Sequence, residues 1–347
     1  MNLLYLRQSK DTVNNVYIKG LEENGVEVLN LYSKPRHISD LIKLVRFYRR
    51  ERANIDLIMV GFSSPQLAIF MGLISGKKII HNAFVSVYDR LISSRELAHR
   101  FSIKTFYYFI LDFLASHLSD LTIVESNHQG EFFKKNFKLP EKKIYRAWAG
   151  VDENRFFYDP AISKSDSFTV LFRGMFLPES GVEYAIRAAK ILEKDDIKFI
   201  IIGGGPRLHE IKELIEELKP SNLKLIDDFL PQDGLNKLMQ SSHVILGQLS
   251  DHIRLTRTIP YKAYESLAMK LPYLTASNQG ILELLKNGET CITCKPADPR
   301  SLADRILWIK NNYLLAEKVA ENGYKLYQDQ LKSHILAQNL LDRVEQL

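Results

Sequence analysis

Cysteine is nearly absent from this chain of 347 residues. There are two, Cys291 and Cys294, too few for the disulfide framework of a small secreted domain. No leader-like segment stands ahead of the first apolar run, Leu3 to Leu6, so a reducing cytoplasm is the expected compartment. Glycine (17) and proline (12) are scarce, which excludes collagenous and low-complexity chains. Long apolar runs are missing too: Leu67 to Ile74 and Phe106 to Leu118 fall short of the roughly 20 residues that cross a bilayer, and Asp112 interrupts the second. What remains is a globular composition, 46% hydrophobic and 25% charged, and at about 100 to 200 residues per domain the length predicts two domains.

Charge is unevenly spread. Residues 1–150 carry 22 Lys+Arg against 14 Asp+Glu, or +8, whereas residues 151–347 carry 25 against 27, or −2. The basic half is expected to face something anionic: a membrane surface, a nucleic acid or a phosphorylated substrate.

Apolar runs alternate with helix-period segments along the whole chain. Leu3 to Leu6, Val26 to Leu31, Asp56 to Val60, Lys78 to His81 and Leu121 to Val124 read as strands. Helices are predicted at Asn14 to Asn24, His37 to Arg52, from Pro65, and from Ser94 to Leu118. The rhythm breaks at Trp148 to Asp166, a linker rich in Gly, Asp, Asn and Pro, and restarts with strands at Thr169 to Phe172, Lys198 to Ile202, Leu223 to Ile226, His243 to Leu246 and Tyr273 to Thr275. Such βα repetition predicts an α/β protein of two Rossmann-like, doubly wound parallel-sheet halves. Ligands of these sheets bind beyond the carboxyl ends of the strands, so a central cleft between facing halves is the expected site.

One segment concentrates chemistry: Thr258-Ile259-Pro260-Tyr261-Lys262-Ala263-Tyr264-Glu265, then Lys270-Leu271-Pro272. Thr258 and Pro260 look like a helix start, whose free amides and dipole favour a phosphate. Lys262 adds a point charge, and Glu265 can accept from two vicinal hydroxyls. The plain alternative is an amphipathic helix with a solvated Lys and Glu. Gly203-Gly204-Gly205 follows a strand and opens toward a helix, which suits either close approach to a phosphate or sugar, or a tight turn.

These residues resemble those of the nucleotide-sugar glycosyltransferases of the GT-B fold, specifically glycosyltransferase family 4. The pattern Pro260, Lys262, Glu265 and Lys270-Leu271-Pro272 is similar to that family's donor-site helix. The likeness extends to Leu171-Phe172-Arg173-Gly174, Gly181-Val182, Ile201 to Gly205, and Val244 to Gly247. It implies a GT-B fold with an acceptor-binding domain at 1–155 and a donor-binding domain at 165–327. It also implies that a terminal helix, at about 328–347, packs back on the first domain. Donor-binding residues implied in this way are Arg173, Gly174, Gly203, Gly204, Thr258, Lys262 and Glu265, with the base held by backbone groups near Phe229 and Leu230. A nucleotide diphosphate sugar is the co-substrate, with no other cofactor. The chain lacks the Asp-x-Asp that metal-dependent diphosphate binding uses in the other main glycosyltransferase fold, so no metal is expected.

The chain departs from that family pattern at three places. Arg257 stands where a Glu usually contacts the transferred sugar, and Met175 and Ser180 stand where an Arg and a Lys usually serve the diphosphate. Compensating cations are sought at Arg173, Arg254, Arg257 and Lys262, with Arg257 and Lys262 the preferred catalytic pair. In the first half, His81 and Asn82 are expected to end a strand, with Ser86 and Asp89 on the next loop and Ser126 and His128 after the following strand. Asp89 or His81 could orient or deprotonate an acceptor held by Asn82, Ser86, Asp89 and His128. Phe84 to Arg90 resembles an acceptor-side loop of one subgroup.

The implied reaction is retaining transfer of a sugar to an acceptor hydroxyl in glycan, polysaccharide or lipid-linked oligosaccharide biosynthesis. The basic half fits an acceptor on an anionic lipid and a peripheral contact with the cytoplasmic membrane face. Helix His37 to Arg52 is the candidate contact, although a βα unit needs its apolar side for the core. The Lys/Arg runs lack the motifs of a nucleic-acid module, and no nucleic-acid partner is expected. A nucleotide-sugar epimerase and an inactive GT-B-like binding protein are the alternatives. Cys291 and Cys294 are spaced for opposite faces of a strand, which argues against a zinc site.

Overall fold

A computed structural model describes residues 1–35, 37–94 and 102–347. Two compact units divide it, one formed by residues 1–152 together with 331–347, the other by residues 153–330.

In the first unit six parallel strands form one sheet: β1 (Asn2–Arg7), β2 (Glu27–Tyr32), β3 (Leu57–Val60), β4 (Ile79–Phe84), β5 (Leu121–Val124) and β6 (Ile144–Arg146), in the order β2-β1-β3-β4-β5-β6. The central strands are apolar runs without alternation because helices cover both faces. Those helices are α1 (Thr12–Glu23), α2 (Ile38–Glu51), α3 (Pro65–Ile74), α4 (Ile103–Leu118) and α5 (Asn127–Phe137). Leu44 and Tyr48 of α2, Leu67 and Met71 of α3, and Ala115 of α4 pack with Leu4, Leu6, Ile58, Val60 and Ile79. These three helices are therefore one layer on one face.

The second unit repeats the plan with β7 (Phe168–Arg173), β8 (Ile197–Ile202), β9 (Leu223–Ile226), β10 (Val244–Leu246), β11 (Tyr273–Ala276) and β12 (Ile292–Cys294), ordered β12-β11-β10-β7-β8-β9. Its helices are α6 (Val182–Ile191), α7 (Leu208–Leu218), α8 (Gln232–Ser241), α9 (Tyr261–Ala268), α10 (Gln279–Leu282), α11 (Pro299–Asn311) and α12 (Tyr313–Leu326). Val170, Phe172, Phe199, Ile201 and Val244 share its core with Ala185 and Ile186 of α6 and Ile306 of α11. Strand order reverses between β7 and β10, which makes their carboxyl ends the switch point where such sheets bind ligands.

The chain then returns to the first unit as α13 (Ser333–Val344). Gly20 of α1 lies so close to the Ser333 carbonyl that a Cβ there would overlap it. The Ser333 hydroxyl donates to Glu23 Oε2 at 3.0 Å, and Asn24 Nδ2 to the His334 carbonyl at 2.8 Å.

Three details differ from the sequence reading. Strand β4 runs on to Phe84, so His81 and Asn82 lie within it and not at its end. The pairing of Asn82 with Ile123 of β5 carries the strand past a residue of poor strand propensity. Helix α9 begins at Tyr261 with Pro260 as N-cap, and Thr258 is no cap: its hydroxyl donates to the Arg254 carbonyl at 3.3 Å. Of the tract expected to be helical from Ser94, residues 103–118 are α4, while residues 95–101 lie outside the described residues. Among the described residues, no helix is long and apolar enough to cross a membrane.

Candidate functional site

At the switch point of the second unit, the carboxyl end of β7 delivers Arg173 and Gly174, β10 is followed by Gly247, and α9 presents Lys262 and Glu265. Lys262 and Glu265 are three residues apart, so they share a face of the helix. Both are almost fully buried, which is unusual for charged side chains without partners. Partners are present. Arg173 forms an ion pair with Glu265 through Nη2 and Oε2, and its guanidinium lies 5.4 Å from the centre of the Phe156 ring. Lys262 Nζ sits 3.9 Å from the centre of the Phe172 ring and donates to the Gly247 carbonyl at 3.3 Å.

Burial pushes the Lys262 amine down to about 7. The positive charge of Arg173 adds to the effect, and Glu265 opposes it. This ammonium is held at a position that would be relieved by one more negative charge.

The glycines leave room for it. A Cβ on Gly174 would stand 3.5 Å from both Cε and Nζ of Lys262, and one on Gly203 would overlap the Gly174 carbonyl, so the two turns pack backbone to backbone. Around Gly204 the space is open. Two cations, a carboxylate and a glycine-lined approach can together hold a group that is anionic at one end and offers hydroxyl donors at the other.

The other donor-side residues are spread further. Phe229 is 90% exposed and Leu230 is half-buried on the loop after β9. Arg257 follows the short turn Ile253–Thr256, and its Nη1 lies 3.5 Å from Thr256 Oγ1. Arg254 is committed to Glu179 at 2.7 Å. Arg173 is the cation ion-paired with Glu265.

In the first unit, Ser86 and Asp89 share one tightly bonded loop. The Ser86 hydroxyl donates to Asp112 Oδ2 at 2.6 Å and accepts from the Asp89 amide at 2.9 Å, while the Tyr88 amide also donates to Asp112 Oδ2, at 2.9 Å. Asp112 comes from α4, and burial raises its carboxyl to about 6 against the hydrogen bonds that lower it. Arg90 ends this segment, donating to Ser63 Oγ at 2.8 Å with its guanidinium 5.5 Å from the Phe62 ring centre.

His81 and Asn82 occupy opposite faces of β4, and both are buried. Burial lowers the His81 imidazole to about 3, so it is neutral at physiological pH. Asn82 stands beside the Tyr5 hydroxyl, which donates instead to Asn14 Oδ1 at 3.0 Å. His128 is exposed in the first turn of α5, whose N-cap is Ser126. The Asp89 amide is thus held on the Ser86 hydroxyl, while His81 lies within β4 and His128 in the first turn of α5.

Sequence reasoning missed the two rings that face the cations, Phe156 and Phe172, and the anchoring role of Asp112. A lone carboxylate inside an apolar run was the available sign of the latter. Cys291 and Cys294 are buried free thiols. Among the described residues there is no group of three or more His, Cys, Asp or Glu side chains placed to hold a metal ion.

Residues 155–326 match the sequence model of the family described as glycosyl transferases group 1. An uncharacterized glycosyltransferase of Methanocaldococcus jannaschii is 26% identical over 227 residues, 62% of this chain and 57% of that protein. The alpha-D-kanosaminyltransferase of Streptomyces kanamyceticus is 27% identical over 159 residues, 45% of this chain and 40% of that protein. The chain thus spans about half the length of the curated relatives it matches. Among solved structures, Anabaena HepE in complex with UDP-glucose superposes with a TM-score of 0.74 at 16% identity, covering all of both chains. A sucrose-phosphate synthase from Thermosynechococcus elongatus gives 0.76 at 15%, covering 100% of this chain and 99% of the other. At these identities the likeness establishes the fold, which is GT-B.

Proposed function

We propose that this chain, whose residues 155–326 match the glycosyl transferases group 1 model on a GT-B scaffold, transfers a sugar from a nucleotide diphosphate sugar to an acceptor hydroxyl with retention of configuration. The observation that carries this reading is the cluster of Arg173, Lys262 and Glu265 at the switch point of the second unit. As the glycosidic bond to the diphosphate lengthens, positive charge grows on the sugar and negative charge on the departing phosphate. Fixed cations aimed at that phosphate lower the barrier most. In this proposal Lys262 and Arg173 receive the diphosphate beside Gly174 and Gly203. Glu265, released from Arg173, accepts from two hydroxyls of the ribose, and the loop at Phe229 and Leu230 borders the base. No covalent nucleophile is assigned.

The acceptor is assigned to the first unit, with Ser86 and Asp89 orienting its hydroxyl. The basic excess of residues 1–150 supports an acceptor carried on an anionic lipid, which would place the protein at a membrane surface. HepE binds UDP and UDP-glucose, so UDP-sugars are the first donors to try.

Nucleotide release from a panel of UDP-, GDP- and ADP-sugars tests the reading. One donor is expected to be turned over, with Glu265→Ala weakening its binding and Lys262→Ala lowering turnover. Wild-type activity in both variants overturns the assignment.

A further inference from the structure

Helix α4 is apolar on two sides. Thr105, Leu111, Asp112, Ala115 and Ser116 face the protein and are buried, while Ile103, Phe106, Tyr107 and Leu114 face outward. Ile103 is 90% exposed and Phe106 65%. A helix of a βα unit needs only one apolar face, so the outward row is not explained by the core. Exposed apolar rows of this size mark an interaction surface.

Helix α2, in the same layer with α3 between it and α4, supplies the chemistry of the partner. Helices α2, α3 and α4 form one layer: the Tyr48 hydroxyl of α2 donates to the Ser75 carbonyl at the end of α3 at 2.6 Å, and Gly72 of α3 abuts Leu118 of α4. The outward side of α2 carries Ile38, Ile42, Lys43, Arg46, Arg49 and Arg50. Its two carboxylates, Asp40 and Glu51, are each within ion-pair distance of one of these cations. On α4 the one acid, Asp112, is buried, and Lys104 is exposed beside Ile103. Exposed apolar side chains flanked by an excess of Lys and Arg match a surface that is anionic outside and hydrocarbon within.

Topology adds a direction. Each of these helices runs antiparallel to the strands it links, so the amino-terminal halves of α2 and α4 lie at the end where the strands finish. That is the end from which the Ser86–Asp89 loop emerges, and Ile103, Phe106 and Tyr107 of α4 lie there with Ile38, Ile42 and Lys43 of α2, whereas Arg46, Arg49 and Arg50 continue the outward face into the other half of α2.

We infer that the outward faces of α2 and α4 bind an anionic lipid surface, with Ile103, Phe106 and Tyr107 entering the headgroup region and Arg46, Arg49 and Arg50 meeting the lipid phosphates. At the end carrying Ile103, Phe106 and Tyr107 the bound surface lies beside the loop assigned to the acceptor, so it would present a lipid-borne acceptor there. This last clause rests on the transferase reading; the binding itself does not.

Sedimentation of the full chain with phosphatidylcholine vesicles, with and without about one third phosphatidylglycerol, tests it. Wild-type protein is expected to pellet with the anionic vesicles at low salt, to be released at high salt, and to ignore neutral vesicles. Ile103→Ser combined with Phe106→Ser, and separately Arg46→Glu combined with Arg49→Glu, should each weaken binding by about tenfold or more. Melting temperature and donor hydrolysis in solution should stay unchanged in both. Absence of wild-type binding, or binding that survives both variants, overturns the inference. So does a concentration-dependent dimer abolished by the serine variant, since a second copy would then cover the row. Donor hydrolysis needs no vesicle, so failure here leaves the transferase reading standing, and loss of hydrolysis leaves this one.

Discussion

Lys262 is held where its charge is costly, and the consequences can be signed. Unfolded, its ammonium titrates near the ordinary 10.5; folded, near 7. The unfolded chain therefore holds the extra proton between those values, and the contribution of Lys262 to stability rises with pH across that window. At pH 7 and below the cost is full, so Lys262→Met is expected to melt several degrees higher than wild type near pH 7, with the gain shrinking toward pH 10. A site that sacrifices stability for binding behaves in this way. A diphosphate reverses the balance by favouring the charged amine, so binding takes up a proton. UDP affinity should fall above pH 7, approaching tenfold per pH unit, and Lys262→Met should be weaker and flat. Calorimetry in two buffers of different ionisation enthalpy measures the proton directly. Lys262 and Glu265 were legible from their spacing on one helix. Arg173 could be named but not placed, because its partner Glu265 lies 92 positions away across a strand-to-helix contact. The preference for Arg257 came from proximity in sequence, whereas the ion pair seen in the structure joins Arg173 to Glu265.

Among the elements, α4 has an inward role that can be tested through Asp112. This carboxylate gathers the Ser86 hydroxyl and the Tyr88 amide, which ties the loop after β4 to a helix instead of to another loop. Asp112→Ala would strand both donors in a buried site, at about 1 to 3 kcal/mol for each. Urea denaturation should show the loss, and Asp112→Asn, which keeps an acceptor, should recover part of it. Most strands could be read because they are short apolar runs bounded by turn residues. The end of β4 could not, since Asn82 looks like a breaker and only pairing with β5 keeps it in the sheet. Strand β6 and helix α5 also escaped. Ile144-Tyr145-Arg146 is three residues long and pairs with β5 alone. Helix α5 carries Gly130 and Asn136, and its place rests on Phe133 and Phe137 packing with Val124 and Leu139. In both cases tertiary contact overrides weak local preference.

At the scale of the whole molecule, the chain leaves its first unit at residue 152 and comes back at residue 331. The first unit is therefore incomplete until the last helix has been made. Leu331, Leu336 and Leu340 are buried, and Gly150 is packed so closely against Leu336 and Val16 that a Cβ would stand 2.7 Å and 2.9 Å from their methyl groups. Burial of a leucine contributes about 1.5 to 3 kcal/mol. Removing residues 331–347 should then cost on the order of 5 kcal/mol or more, comparable with the total stability of a domain of ordinary size. The residues proposed to hold the donor lie on the second unit, which this deletion does not touch. A chain ending at residue 330 is therefore expected to lose hydrogen-exchange protection in β1, β3 and α1 while still binding UDP. Gly20→Val should act in the same direction but less severely, by forcing α13 away from α1. Retained protection of β1 and α1 in the truncated chain would mean that α13 only covers the unit. Loss of UDP binding together with that protection would mean that the second unit depends on α13 as well.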